Sequence, residues 1–327
     1  MAVFSVLDLA PIVEGGSAAE ALAHSLDLAR HAERLGYERF WMAEHHGMPG
    51  IASAATSVAL AHIGCGTSTI RIGAGGIMLP NHAPLQIAEQ FGTLASLYPG
   101  RVDLGLGRAP GTDQATAYAL RRSLQSDPNQ FPRDVLELIN YFKPASPERR
   151  IRAIPGEGLE IPIWILGSST YGAQVAAQLG LPYAFASHFA PAEMQEAIHV
   201  YRSSFRPSAQ LERPYVMLGF NAFAADSEEE AELLATSLMQ AFVQLRSGNP
   251  GRLPPPVRGY RAQLPPPQRA MLDQVLSCSA IGSPAKVRRE IEEFVGRTGA
   301  DELMITAQIF DHQARLRSFE IVAAEWG

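Results

Sequence analysis

Eight short apolar runs alternate with stretches of helical periodicity from one end of this chain to the other, and that rhythm restricts the fold more than any other feature of the sequence. The runs are Val3–Leu9, Arg39–Ala43, Thr69–Leu79, Arg101–Leu106, Pro162–Leu166, Tyr183–Ser187, Tyr215–Ala224 and Glu302–Ile309. Their apolarity is continuous rather than alternating, which fits strands buried on both faces of a parallel sheet. Between them, Ala18–Leu35 lines up Leu22, Leu26, Ala29 and Ala32 as one helical stripe, and Gly36 supplies a stop. Ser53–Gly64, Pro84–Leu97, Thr170–Leu179, Pro191–Phe205, Ser227–Leu245, Pro284–Thr298 and Gln313–Glu325 repeat the helical pattern, several opening on Ser, Thr or Pro. Eight strand–helix units are the number that closes a (β/α)8 TIM barrel, so an α/β barrel is the expected fold. An open doubly wound sheet is the rival. Its phosphate fingerprint belongs on the first strand–helix turn, where Ala10–Gly16 carries no G-x-G-x-x-G.

Two segments break the rhythm, as insertions after strands 4 and 7. Ser123–Gly158 is rich in proline and charge, and Gly248–Pro267 holds two triple-proline runs. Both follow the C-terminal ends of strands, where barrel enzymes keep their active sites, so both are read as lids. At 327 residues the whole chain, 1–327, is read as a single barrel domain. Cys65 and Cys278 are too isolated for a disulfide framework or a thiolate metal site and are read as small buried apolar groups. A net charge of −6 with scattered arginines argues against nucleic acid as a partner. No signal peptide and no run of roughly 18 apolar residues stand out, so the expectation is a cytoplasmic protein without a membrane partner.

Chemistry-bearing residues collect at the ends of the strands. The second ends Phe40-Trp41-Met42-Ala43-Glu44-His45-His46. Neighbours on a strand point to opposite faces, so His45 and His46 do not chelate one metal ion together, and no metal is expected. Two imidazoles beside a carboxylate still suit acid–base work near neutral pH. The third strand carries Gly73, Gly75 and Gly76, whose spacing is explained equally by a flat ring lying on the backbone or by a β-bulge. Arg108 follows Gly105 and Gly107 at the end of the fourth, placed to pair with an anion. After the fifth, Ser168, Ser169, Tyr171 and Gly172 open a helix whose amides and dipole suit a phosphate; an ordinary N-cap would need only one hydroxyl.

Taken in order, Trp41-x-x-Glu44-His45-His46, Gly73-Ala74-Gly75-Gly76-Ile77-x-Leu79-Pro80, Gly105-x-Gly107-Arg108 and Gly167-Ser168-Ser169 before Gly180-Leu181-Pro182 resemble the bacterial luciferase-like family, in its alkanal-monooxygenase-like branch. The likeness runs over roughly residues 3–325. It implies a monooxygenase using reduced FMN, O2 and an aldehyde or similar small substrate through a C4a-peroxyflavin, with a separate flavin reductase as partner. On the same likeness His45 is the catalytic proton carrier and Glu44 orients it. Gly75-Gly76 is a cis peptide behind the flavin ring. Arg108, Ser168, Ser169 and the amides near Tyr171 and Gly172 cradle the phosphate. Gly107 stands where light-emitting luciferase has a cysteine, so luminescence is not expected, and Gly248–Pro267 replaces the luciferase mobile loop. The alternatives are a deazaflavin-dependent dehydrogenase on the same scaffold and a non-catalytic flavin-binding protein. A homodimer is expected through the small-residue helix Ala52–Ala61.

Overall fold

A computed structural model describes residues 2–109, 114–121 and 130–325. All strands pair in parallel. β1 (Val3–Asp8), β2 (Arg39–Met42), β3 (Arg71–Met78), β4 (Val102–Gly107), β5 (Ile163–Gly167), β6 (Tyr183–Phe185) and β7 (Val216–Ala224) are hydrogen-bonded in chain order. Two further strands follow, β8 (Ser279–Gly282) and β9 (Glu302–Thr306). β9 lies between β7 and β1, which closes an eight-stranded ring, the expected (β/α)8 barrel. β8 is an addition that the apolar runs did not announce. It is only four residues long and pairs outside the ring with the far half of β7, Asn221 to Ala224.

The helices wrap the ring: α1 (Ala18–Arg34), α2 (Thr56–Cys65), α3 (Pro84–Leu97), α4 (Gln114–Arg121), α5 (Phe131–Phe142), α6 (Thr170–Leu179), α7 (Met194–Ser204), α8 (Glu228–Arg246), α9 (Tyr260–Gln263), α10 (Pro266–Val275), α11 (Pro284–Thr298) and α12 (His312–Ala324). The starts are encoded locally. Ser17 caps α1 in a reciprocal box with Glu20, and Ser227 accepts from the Glu230 amide at the start of α8. The buried face of α1 is Ala21, Ser25, Leu28, Ala29 and Ala32; the expected Leu22 and Leu26 lie half-buried on its flank. Small residues form the buried centre because α1 seats closely on its neighbours.

The insertions also differ from their reading as lids. Part of the first lies outside the described residues, but α5 within it buries Phe131, Val135, Leu138 and Phe142 and belongs to the barrel's outer layer. In the second, Leu253 is buried and exchanges backbone hydrogen bonds with Ile12 and Glu14. The Val257 amide donates to Thr236 Oγ1 and the Pro255 carbonyl accepts from Gln240. This strap is tied across the loop that follows β1, and α9 and α10 continue from it. Cys278 is buried as expected, whereas Cys65 is exposed at the end of α2.

Inside the ring, side chains stack in layers. The N-terminal end is sealed by ions. Arg39 binds Asp103 Oδ2 at 2.9 Å and Glu302 Oε1 at 2.8 Å, Tyr215 donates to Glu302 at 2.9 Å, and Arg71 pairs with Asp103. Burial opposes the charge on Arg39, but Glu302 and Asp103 outweigh it and raise its pKa further. Above this plug lies an apolar layer of Leu7, Trp41, Ala43, Trp164, Ala184, Met217 and Met304. Among the described residues, the end left open for chemistry is the C-terminal mouth.

Candidate active site at the barrel mouth

The pleat of β2 sorts the histidines. Trp41 and Ala43 belong to the interior layer, and His45 continues that parity into the mouth. Among the described residues the His45 side chain makes no hydrogen bond, and its Nδ1 is closed off from solvent. Burial lowers its pKa below the usual imidazole value, an effect partly offset by Glu44 and reinforced by His46. His45 is therefore neutral at pH 7.

Glu44 points the other way. Its Oε1 accepts from Nε2 of His46 at 2.7 Å and of His82 at 2.8 Å, and its Oε2 accepts from the Met78 amide at 3.0 Å. Burial opposes ionisation of this carboxyl, but the donors from His82, His46 and Met78 outweigh it and hold its pKa below the usual range. The expected hydrogen-bonded partnership of Glu44 with His45 is thus replaced by one with His46 and His82, because adjacent strand residues face apart. The ligand atoms of Glu44, His46 and His82 lie within 4.8 Å of one another, a spacing a metal could use, but each is already engaged in this hydrogen-bonded cluster. His82 was visible in the sequence beside Pro80 and Asn81 without any sign of its partner 38 residues earlier.

Of the two readings of the glycines, the bulge is present. β3 gains a residue on β4 between Ala74 and Ile77, so there is a bulge, and the Gly75–Gly76 peptide is cis. Backbone packing itself demands the glycines here. A Cβ on Gly105 would stand 2.2 Å from the Ala74 carbonyl oxygen, and one on Gly76 would stand 2.8 Å from that of Gly105. A Cβ on Gly75 would press on Leu7 at 2.9 Å.

Arg108 leaves the end of β4 exposed and stacks on Tyr171, its guanidinium carbon 4.3 Å from the ring centroid. Tyr171 lies in the first turn of α6, so the cation is brought to that helix N-terminus together with Ser168, Ser169 and Gly172. Ser169 has N-cap geometry, yet its side chain makes no capping bond. The Thr170 amide instead donates to Glu193 at 3.3 Å. Glu193 was not foreseen, since it arrives from the loop after β6.

Also unforeseen are polar groups on the far wall: His188 in the loop after β6, Asn221 within β7 and Thr306 at the end of β9. The signal available for His188 was its place directly after a strand, in Ala186-Ser187-His188-Phe189. A separate cleft of about 510 Å³ opens between α8, α9 and α11, but its charges are mixed: Lys286 pairs with Glu228, and Glu290 accepts from the Ile281 amide. It lies apart from His45 and Arg108.

Residues 2–302 of this closed parallel barrel match the family described as luciferase-like monooxygenase, to which this chain belongs. It is 58% identical over 318 residues to a protein of Escherichia coli K12 named luciferase-like monooxygenase, covering 97% of this chain and 95% of that one. Among solved structures, apo-MsnO8 superposes with a TM-score of 0.93 at 35% identity, covering 100% of this chain and 98% of the other. The oxygenating constituent of 3,6-diketocamphane monooxygenase of Pseudomonas putida, solved with FMN, shares the fold at a TM-score of 0.74 and 17% identity, covering 99% and 97%. Among the described residues no helix is long and apolar enough to cross a membrane.

Proposed function

We propose that this protein is an oxygenase that takes reduced FMN from a separate reductase and uses O2 to oxidise an aldehyde or similar small organic substrate. The observation that carries the reading is the meeting of Arg108 with the first turn of α6, where the N-cap serine leaves its hydroxyl uncommitted. A cation, a helix N-terminus and free hydroxyls fit a terminal phosphate. The partnerless His45 nitrogen fits a reacting group that exchanges protons. Arg108, Ser168, Ser169 and the amides near Tyr171 and Gly172 would hold the phosphate; Gly75 and Gly76 would back the ring.

The reduced flavin supplies the electrons that activate O2. The chain's part is to anchor, orient and shield. Arg108 binds the phosphate electrostatically. The apolar layer of Trp41, Trp164, Met217 and Met304 keeps water from the barrel side of the reacting atoms. His45, neutral and unbonded, takes up or delivers a proton at its imidazole. Glu44 acts as a positioning residue, clamping the ends of β2 and β3 through His46, His82 and the Met78 amide.

Binding assays with FMN, riboflavin and a deazaflavin test the assignment. Arg108→Ala is expected to weaken FMN by about tenfold or more while leaving riboflavin nearly unchanged, since only FMN carries the phosphate. Equal losses for FMN and riboflavin would remove Arg108 from the phosphate site. Tighter binding of the deazaflavin than of FMN would replace oxygenation with hydride transfer.

A further inference from the structure

We propose that His188 is a substrate-contacting residue, its imidazole donating a hydrogen bond to a carbonyl oxygen of the organic substrate from the wall opposite His45. The inference rests on the oxygenase reading above and adds to it the functional group recognised.

Ring order puts the two histidines on opposite walls, because β2 and β6 stand four strands apart in a ring of eight. Parity puts His188 inside. Met217 belongs to the interior layer, so Gly219, two residues on, faces the same way. A Cβ on Gly219 would stand 2.0 Å from His188 Nδ1, so the imidazole lies over β7 within the mouth, in space that only a glycine leaves open.

The backbone beneath the ring is fixed from two directions. Ser187 Oγ donates to the Gly219 carbonyl at 2.7 Å. Asn221 Nδ2 donates to the His188 carbonyl at 2.9 Å and also reaches Ser279 Oγ at 3.2 Å, which ties the loop to β8. All this anchoring is through the main chain. Among the described residues the imidazole has no hydrogen-bond partner, and its Nδ1 is closed off from solvent. Nδ1 itself lies against Gly219, which leaves Nε2, the ring's other nitrogen, as the donor that can reach a ligand in the mouth. Thr306 Oγ1 on the same wall, at the register of Asn221, is likewise buried and partnerless.

The chemistry of the wall narrows the ligand. Burial, and then the nearness of His45, push the His188 pKa down to about 4, so the ring is neutral at working pH. A neutral donor suits an uncharged oxygen; a carboxylate or phosphate would need a cation. A hydrogen bond to a carbonyl oxygen also draws electron density from the carbon, which favours nucleophilic attack there.

The test uses the full-length protein with FMN bound, without oxygen, titrated with octanal and cyclohexanone and with octane and cyclohexane as carbonyl-free controls, read by flavin fluorescence. Wild type is expected to prefer the carbonyl compounds. His188→Ala should lose about tenfold in carbonyl affinity and little for the hydrocarbons, and His188→Gln, which keeps an N–H donor, should recover part of the loss. The imidazole resonance missing from His188→Gln should shift in wild type with octanal but not octane, a readout that survives even if His188→Ala fails to fold. No carbonyl preference in wild type, equal losses for both ligand classes, or a resonance indifferent to octanal overturns the proposal. Failure of wild type to bind FMN at all overturns the oxygenase reading instead.

Discussion

Two buried imidazoles, one on each side of the mouth, give the site a pH signature that belongs to single residues. The His188 pKa is pushed from 6.5 to about 4, so between those values the unfolded chain takes up a proton that the folded chain refuses. The stability contribution is present above pH 6.5 and is lost as the pH falls toward 4. Between pH 7 and 5 wild type should therefore lose about 2 kcal/mol more unfolding free energy than His188→Gln, measured in urea. Parallel pH dependence in the two proteins would mean that His188 is not held neutral. Sequence alone separated His45 from His46, since alternation along an extended chain is local. It missed the partners of Glu44, because His82 meets it only once β2 and β3 are in register.

At the level of elements, β3 and β4 are joined by glycines facing backbone across the bulge. Gly105→Ala thrusts a methyl group against the Ala74 carbonyl, a contact with no flexible side chain to yield. The expected cost is about 1–3 kcal/mol or more, read from equilibrium unfolding. A wild-type midpoint would show that the strands can separate to accept it. Helices α3, α6 and α11 begin and end where periodicity and flanking residues place them. α5 did not stand out in its charged, proline-bearing setting, although Phe131, Val135, Leu138 and Phe142 lie at helical spacing. β8 was illegible for another reason: four residues carry no periodicity, and its pairing depends on β7 extending past β6.

For the whole molecule, the ion plug shows what ring closure does. Arg39, Arg71, Asp103 and Glu302 come from four strands and meet only inside the closed barrel. Arg39→Met leaves Glu302 buried with hydrogen bonds from Ser5 and Tyr215 but no cation beside it, and should cost about 3 kcal/mol in unfolding free energy. Stability equal to wild type would show that the plug's charges are compensated by other means. Outside the barrel, Val58 on α2 is 70% exposed, on the helix expected to pair two copies. Val58→Glu should shift sedimentation from dimer to monomer; a wild type that sediments as a monomer contradicts the expected pairing.

What the sequence alone determined is local and periodic: the eight strands of the ring, most of the helices between them, and the order in which Glu44, His45, Gly75, Gly76, Arg108 and the α6 serines follow one another. Periodicity encodes such things because each depends on residues a few positions away. Tertiary structure decided which side chains meet, namely Arg108 with Tyr171, Glu44 with His82, and His188 over Gly219. Those meetings depend on strand register and on the ring closing through β9, which brings together residues that the chain keeps tens to hundreds of positions apart.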